Sequence, residues 1–96
     1  MSRSTSAAPP CLTLYSRPNC GLCNDLHAAI TPLLQAFHVE LEVVNIDLHP
    51  ALRQRFGHSI PVLEHNATVL ATYRVDLDRL RDYLAQITSQ TPTATS

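Results

Sequence analysis

Apolar positions along the chain switch between two periods, and the switches delimit its elements. "CLTLYS" (11–16) is a short apolar run of strand type, with a proline soon after. From Cys20 the spacing becomes three and four. Leu26, Ala29, Ile30, Leu33, Leu34 and Phe37 fall on one helical face. Pro32 lies inside that stretch and is expected to interrupt it, because it lacks an N–H and costs about 3 kcal/mol unless a kink absorbs it. "VELEVVNID" (39–47) reads as a second strand. "HPALRQRFG" (49–57) reads as a short helix, with His49 as N-cap, Pro50 at the first position and Gly57 just past the end. "IPVLEH" and "TVLATYR" read as two strands around "HNA", where Asn66 supplies the left-handed conformation of a hairpin turn. "DLDRLRDYLAQI" is helical, capped by Asp76, with Leu77, Leu80, Leu84 and Ile87 on one stripe. The order is β-α-β-α-β-β-α. It implies an α/β fold, with a right-handed parallel βαβ unit, a hairpin, and a four-stranded mixed sheet flanked by helices on both faces.

Composition narrows this further. Ninety-six residues fit one domain, and 45% apolar content is enough for a single core. Residues 1–10, rich in Ser, Thr, Ala and Pro, and the polar stretch 88–96 are expected to be disordered tails around a domain at 11–87. A net charge of −1 lacks the basic excess of a nucleic-acid-binding protein. No apolar run approaches the roughly 18 residues of a membrane span. "MSRSTSAAPP" has one arginine and no apolar core, so it does not read as a secretory signal. The expected location is cytoplasmic, where thiols are kept reduced. Three cysteines there are catalytic, metal-binding or buried, rather than a disulfide framework.

The informative stretch is "LYSRPNCGLCNDLHAAI" (14–30). Cys20 falls where the first strand's loop becomes a helix. Unpaired N–H groups and the macrodipole favour negative charge at that point. Cysteines in such settings have pKa values of roughly 3.5–7.5. Arg17, three residues upstream, adds to the effect. Cys23 returns to the same side of the helix as the more enclosed partner. In a dithiol mechanism Cys20 attacks a disulfide and Cys23 resolves the mixed disulfide. Gly21 lets the intervening turn accept close backbone approach, and Leu22 points outward toward a docking partner. Pro61 opens the third strand, a position that proline tolerates. A cis bond to Ile60 would turn the Ile60 backbone outward, able to pair with an extended peptide.

Other readings of the same residues stand beside this one. Cys20, Cys23 and His27 offer three ligands to zinc without an evident fourth. A dimer sharing an iron–sulfur cluster is a second metal reading, two structural thiols a third. A redox-silent module that holds peptide at the Ile60–Pro61 edge is another. Cys11 opens the first strand at the end away from Cys20, and His27, His58, Arg53 and Arg55 read as surface positions. Pro18 and Asn19 read as turn and cap, and Asp47 as a turn residue before the short helix.

"LTLYSRPNCGLC", with a basic residue three before the first cysteine, and "NIDLHPALRQRFGHSIPVL" together resemble the glutaredoxins of the thioredoxin-like fold. They are most similar to a small bacterial glutaredoxin-like family. The resemblance covers about residues 11–86. It implies a monomeric thiol–disulfide oxidoreductase with Cys20 as nucleophile and Cys23 as resolving cysteine. Pro61 matches the cis-proline, whose preceding residue Ile60 binds glutathione or peptide. Arg17 matches a contact to a glutathione carboxylate, and Asp76 is placed to meet the γ-glutamyl ammonium. It further implies a disulfide-containing protein or glutathione as partner, and no bound cofactor or metal. The sequence departs from the family in two places. Gly21-Leu22 replaces the usual Pro-Tyr, and "ATYRVD" stands where glutathione-binding glutaredoxins carry Gly-Gly, so Tyr73 and Arg74 are expected to crowd that groove.

Overall fold

The structure, a computed structural model, describes residues 9–88. Of the expected tails, residues 1–8 and 89–96 lie outside the described residues. The elements are β1 (Cys11–Ser16), α1 (Gly21–Ala36), β2 (Glu40–Asn45), a 3-10 turn (Ile46–Leu48), α2 (Pro50–Phe56), β3 (Val62–His65), β4 (Thr68–Thr72) and α3 (Leu77–Thr88). The sheet order is β2-β1-β3-β4. β1 and β2 run parallel, while β1–β3 and β3–β4 are antiparallel. This is the thioredoxin-like arrangement expected from the element order. No helix among the described residues is long and apolar enough to cross a membrane.

Side-chain alternation along the two central strands divides the core. Leu12 and Leu14 of β1 and Leu63 of β3 join Leu26, Ile30 and Leu34 of α1 and Leu80 and Leu84 of α3. Tyr15 of β1 and Val62 of β3 point the other way, to Ile46, Leu52 and Phe56. Helices α1 and α3 therefore cover one face and α2 the other. A bulge between Leu63 and Glu64 in the β3–β4 pairing lets the consecutive Leu70 and Ala71 both reach the first cluster.

Three local expectations need correction. Helix α1 runs through Pro32 instead of being interrupted there. Pro32 lies on the exposed face, and the buried stripe Leu26, Ile30 and Leu34 continues past it. Burial of each such side chain contributes about 1.5–3 kcal/mol, which offsets the one lost hydrogen bond. The second strand ends at Asn45, two residues short of Asp47, because Asn45 Oδ1 accepts the Asp47 N–H (2.9 Å) and starts the 3-10 turn. His49 occupies the N-cap position of α2, but its side chain makes no capping bond. Pro50 begins α2 as expected.

Helix α1 ends in a Schellman arrangement. Val39 N–H reaches Leu34 C=O (2.9 Å), His38 N–H reaches Gln35 C=O (3.1 Å), and His38 has φ 57. The β3–β4 loop is the two-residue pair Asn66 (φ 48) and Ala67 (φ 70), both left-handed, as a type I′ hairpin requires. Asn66 was legible, but alanine at the second position is unfavourable. Ala67→Gly is therefore expected to stabilise the domain by about 0.5–1 kcal/mol. Equilibrium urea denaturation checks this, and an unchanged or lower midpoint argues against the type I′ geometry.

The second core carries a charge that the pattern did not reveal. Glu64 is only 8% exposed. Its Oε1 accepts the Tyr15 hydroxyl (2.9 Å), and Oε2 faces Arg55 Nη2 at 3.6 Å. Arg55 lies over the Phe56 ring, which stacks on Tyr15. Burial first, and then the bond to Glu64, raise the Tyr15 phenol above its ordinary value near 10. A raised folded-state pKa contributes stability that is complete below the unfolded value and is lost as pH rises through the folded one. Stability is thus expected to fall above about pH 10, and Tyr15→Phe to lack this part of the decline. At neutral pH Tyr15→Phe is expected to cost about 1.5–3 kcal/mol, because a buried carboxylate oxygen loses its donor. Denaturation curves of both proteins from pH 7 to 11 give the comparison. Parallel loss in the two would dismiss the Tyr15 contribution.

Candidate functional site: the Cys20–Cys23 turn

The loop after β1 carries the chain over the sheet to the start of α1. Asn19 takes the left-handed conformation (φ 62), and Cys20 returns to an extended one (φ −100, ψ 106) as the N-cap of α1. Cys20, not Asn19, makes the cap: the Cys23 N–H donates to Cys20 Sγ at 3.2 Å, and Asn24 N–H donates to Cys20 C=O at 3.0 Å. An Sγ placed against the first free N–H groups of a helix is where negative charge on sulfur is favoured. The two cysteines are joined in a disulfide, with Cα atoms 5.2 Å apart. Cys20 is partly exposed, whereas Cys23 is 3% exposed and belongs to the buried face of α1. Cys20 lies toward the surface and Cys23 sits behind it.

Gly21 is the first residue of α1, and an added Cβ there would meet nothing within 4 Å. Close approach within this chain does not require glycine at that position, because Asn19 supplies the turn's left-handed residue. Leu22 is exposed (48%), as expected. It borders a groove of about 340 Å³ that Asp25, Ala29, Tyr73, Arg74 and Val75 also line. The Ile60–Pro61 peptide is cis. Pro61 C=O accepts the Tyr73 N–H (2.9 Å), while Ile60 makes no backbone hydrogen bond among the described residues. Asp76 caps α3: its Oδ1 accepts the N–H groups of Asp78 (3.1 Å) and Arg79 (3.2 Å).

On the other side, Arg17 Nη2 lies 3.3 Å from Asp47 Oδ1, and Arg53 Nε lies 4.0 Å from the same oxygen. Both pairs are well exposed, so each contributes at most about 1 kcal/mol. Their importance is placement, since one carboxylate serves two guanidinium groups. Arg17 Nε is buried without a hydrogen-bond partner among the described residues. A cavity of about 460 Å³ lined by Arg17, Arg53, Gln54, Gly57 and His58 opens beside them. The Arg17–Asp47–Arg53 cluster left no signal in the sequence, because its members come from three separate elements.

Cys11 is exposed at the start of β1 and takes no part in the pair. His27 is exposed on α1. The zinc set of Cys20, Cys23 and His27 is not assembled: no three His, Cys, Asp or Glu side chains among the described residues are gathered to hold a metal ion.

Tyr73 lines the groove, and its backbone geometry is unusual. It has φ 63, and the Arg74 N–H closes on Thr72 C=O across it (2.6 Å), forming a three-residue turn with positive φ at a bulky centre. Such a conformation costs of order 1–3 kcal/mol.

Comparison with known proteins agrees with this geometry. The chain is 32% identical to protein Ne2328 from Nitrosomonas europaea, with a TM-score of 0.69, covering 86% of this chain and 98% of that one. It is 35% identical to protein XcR50 from X. campestris, with a TM-score of 0.60, covering 78% and 96%. A thioredoxin mutant from Halobacterium salinarum NRC-1 shares the fold at 23% identity, with a TM-score of 0.58, covering 85% and 77%. Residues 11–85 match the family described as Glutaredoxin-like domain (DUF836), and the chain belongs to that family.

Proposed function

We propose that this protein is a thiol–disulfide oxidoreductase working through Cys20 and Cys23. One observation carries the reading: the two sulfurs are bonded across the first turn of α1, with Cys20 outermost at the helix N-terminus and Cys23 buried behind it. In the reduced protein the Cys20 thiolate attacks one sulfur of a substrate disulfide. The substrate S–S bond breaks, its leaving thiolate takes a proton, and a Cys20–substrate disulfide forms. Cys23 then gives up its proton and attacks Cys20 Sγ, releasing the second substrate thiol. The substrate gains two electrons and two protons, and the Cys20–Cys23 disulfide remains. Glutathione or a reductase returns the pair to dithiol, with no bound cofactor.

The substrate is a disulfide-containing polypeptide or glutathione, the latter entering as its disulfide. Arg17 and Arg53 suit a carboxylate on one side of Cys20, and Leu22 and the free Ile60 backbone suit a peptide on the other. The reading is of a cytoplasmic monomer: thiols are kept reduced in the cytosol, and the residues assigned to the site all belong to one chain.

The test is equilibration in glutathione buffers of graded potential, followed by acid quench, alkylation and intact mass. Two thiols, mapped to Cys20 and Cys23, are expected to be lost together and reversibly. If both stay alkylatable across the whole range, the oxidoreductase reading fails.

A further inference from the structure

Burial does not explain Tyr73. The residue is 48% exposed, and yet its backbone holds a positive φ that bulky residues avoid. Strain of this kind persists where surrounding contacts over-determine it. Two such contacts are present, and both land on one segment. The Tyr73 N–H donates to Pro61 C=O, and the Tyr73 hydroxyl donates to His58 C=O. Between these anchor points lies Ile60, whose N–H and C=O have no backbone partner among the described residues. The Tyr73 ring also borders the groove that begins at Leu22, the residue between the two cysteines.

We propose that Tyr73 is a positioning residue that braces the His58–Pro61 segment, so that the Ile60 main chain is held as a pairing edge for the backbone of a polypeptide disulfide reacting at Cys20. The inference rests on the oxidoreductase reading and adds its substrate class. A polypeptide offers N–H and C=O groups on either side of its half-cystine, and these can pair with a strand-like edge held at fixed geometry. A small disulfide without an extended main chain gains nothing from that edge. The exchange itself is unchanged: the substrate S–S bond is replaced by the Cys20–substrate S–S bond, and the leaving thiolate is protonated.

Tyr73→Phe removes the hydroxyl bond to His58 and keeps the ring. The experiment measures KM and kcat for a disulfide-bonded peptide and for bis(2-hydroxyethyl) disulfide, together with the reduction potential of the Cys20–Cys23 pair. The expected result is a peptide KM raised about tenfold, the scale of one lost hydrogen bond. The peptide kcat, the small-disulfide kinetics and the potential should stay at wild-type values. Tyr73→Gly, which also removes the backbone conflict at φ 63, is expected to show a selective rise at least as large. An unchanged peptide KM in both variants, or equal losses on both substrates, overturns the proposal. A wild-type protein inactive on both disulfides instead defeats the oxidoreductase reading itself, and this proposal with it.

Discussion

Cys20→Ser is expected to lower thiol–disulfide exchange by a factor on the order of 10³ or more, the scale of losing a covalent nucleophile. Cys23→Ser is expected to behave differently. The order of exposure sets the contrast, because Cys20 faces outward while Cys23 is 3% exposed. Serine at position 20 removes the only sulfur of the pair that a substrate reaches. Serine at position 23 leaves attack intact and removes resolution, so a Cys20–substrate disulfide should accumulate to near one equivalent. Intact mass after acid quench distinguishes the two variants, and a continuous assay with a peptide disulfide supplies the rates. If Cys20→Ser retained activity while Cys23→Ser lost it without a trapped adduct, the assigned roles would be reversed. Cys11 serves as an internal control. It is exposed outside the pair, and Cys11→Ser should leave both measurements unchanged.

The largest expected effect on stability is at Leu63. β3 lies between β1 and β4, and Leu63 is completely buried among residues of β1, α1 and α3. Removing its isobutyl end forfeits transfer energy and leaves a cavity where the sheet meets α1 and α3, so Leu63→Ala is expected to cost about 3–5 kcal/mol. A domain of this size has a total stability of only about 4–12 kcal/mol, so the variant would approach the unfolding threshold at moderate temperature. Leu48→Ala makes the comparison. Leu48 is 72% exposed, and its loss should change stability by no more than about 0.5 kcal/mol. Urea denaturation of both variants tests the division of the chain into core and surface. Similar midpoints for the two would contradict the packing described here.

Features encoded within a few neighbouring residues were legible. The helix of 21–36 follows from the three-and-four spacing of Leu26, Ile30 and Leu34, and the hairpin from Asn66 between two apolar runs. Asp76 declares the start of α3 because its carboxylate reaches the N–H groups two and three residues ahead. Local preferences give way where they meet a stronger demand. Pro32 ought to break a helix, but the buried stripe on either side holds it together. Asn19 is the better capping residue by type, yet it supplies the left-handed turn and leaves the cap to Cys20 Sγ. Asp47 serves as the turn residue before α2 that its type suggests, but the strand stops two residues earlier, where Asn45 turns the chain.

Four features are written locally enough to read from the amino acids: the element order, the placement of Cys20 at a helix start, the enclosure of Cys23 and the family. The first three depend on periodicity within a few turns of chain, and the family on the resemblance of two longer motifs, residues 12–23 and 45–63. It takes the folded chain to show that Glu64 is buried beside Tyr15 and Arg55, that Arg17 shares Asp47 with Arg53, and that Tyr73 reaches back to His58 and Pro61. These contacts join groups far apart in the chain, and many residues of similar type elsewhere are equally able to form them. Which ones meet is set when the hydrophobic faces of the sheet are covered, because the packing of α1, α2 and α3 fixes which loop ends arrive beside Cys20.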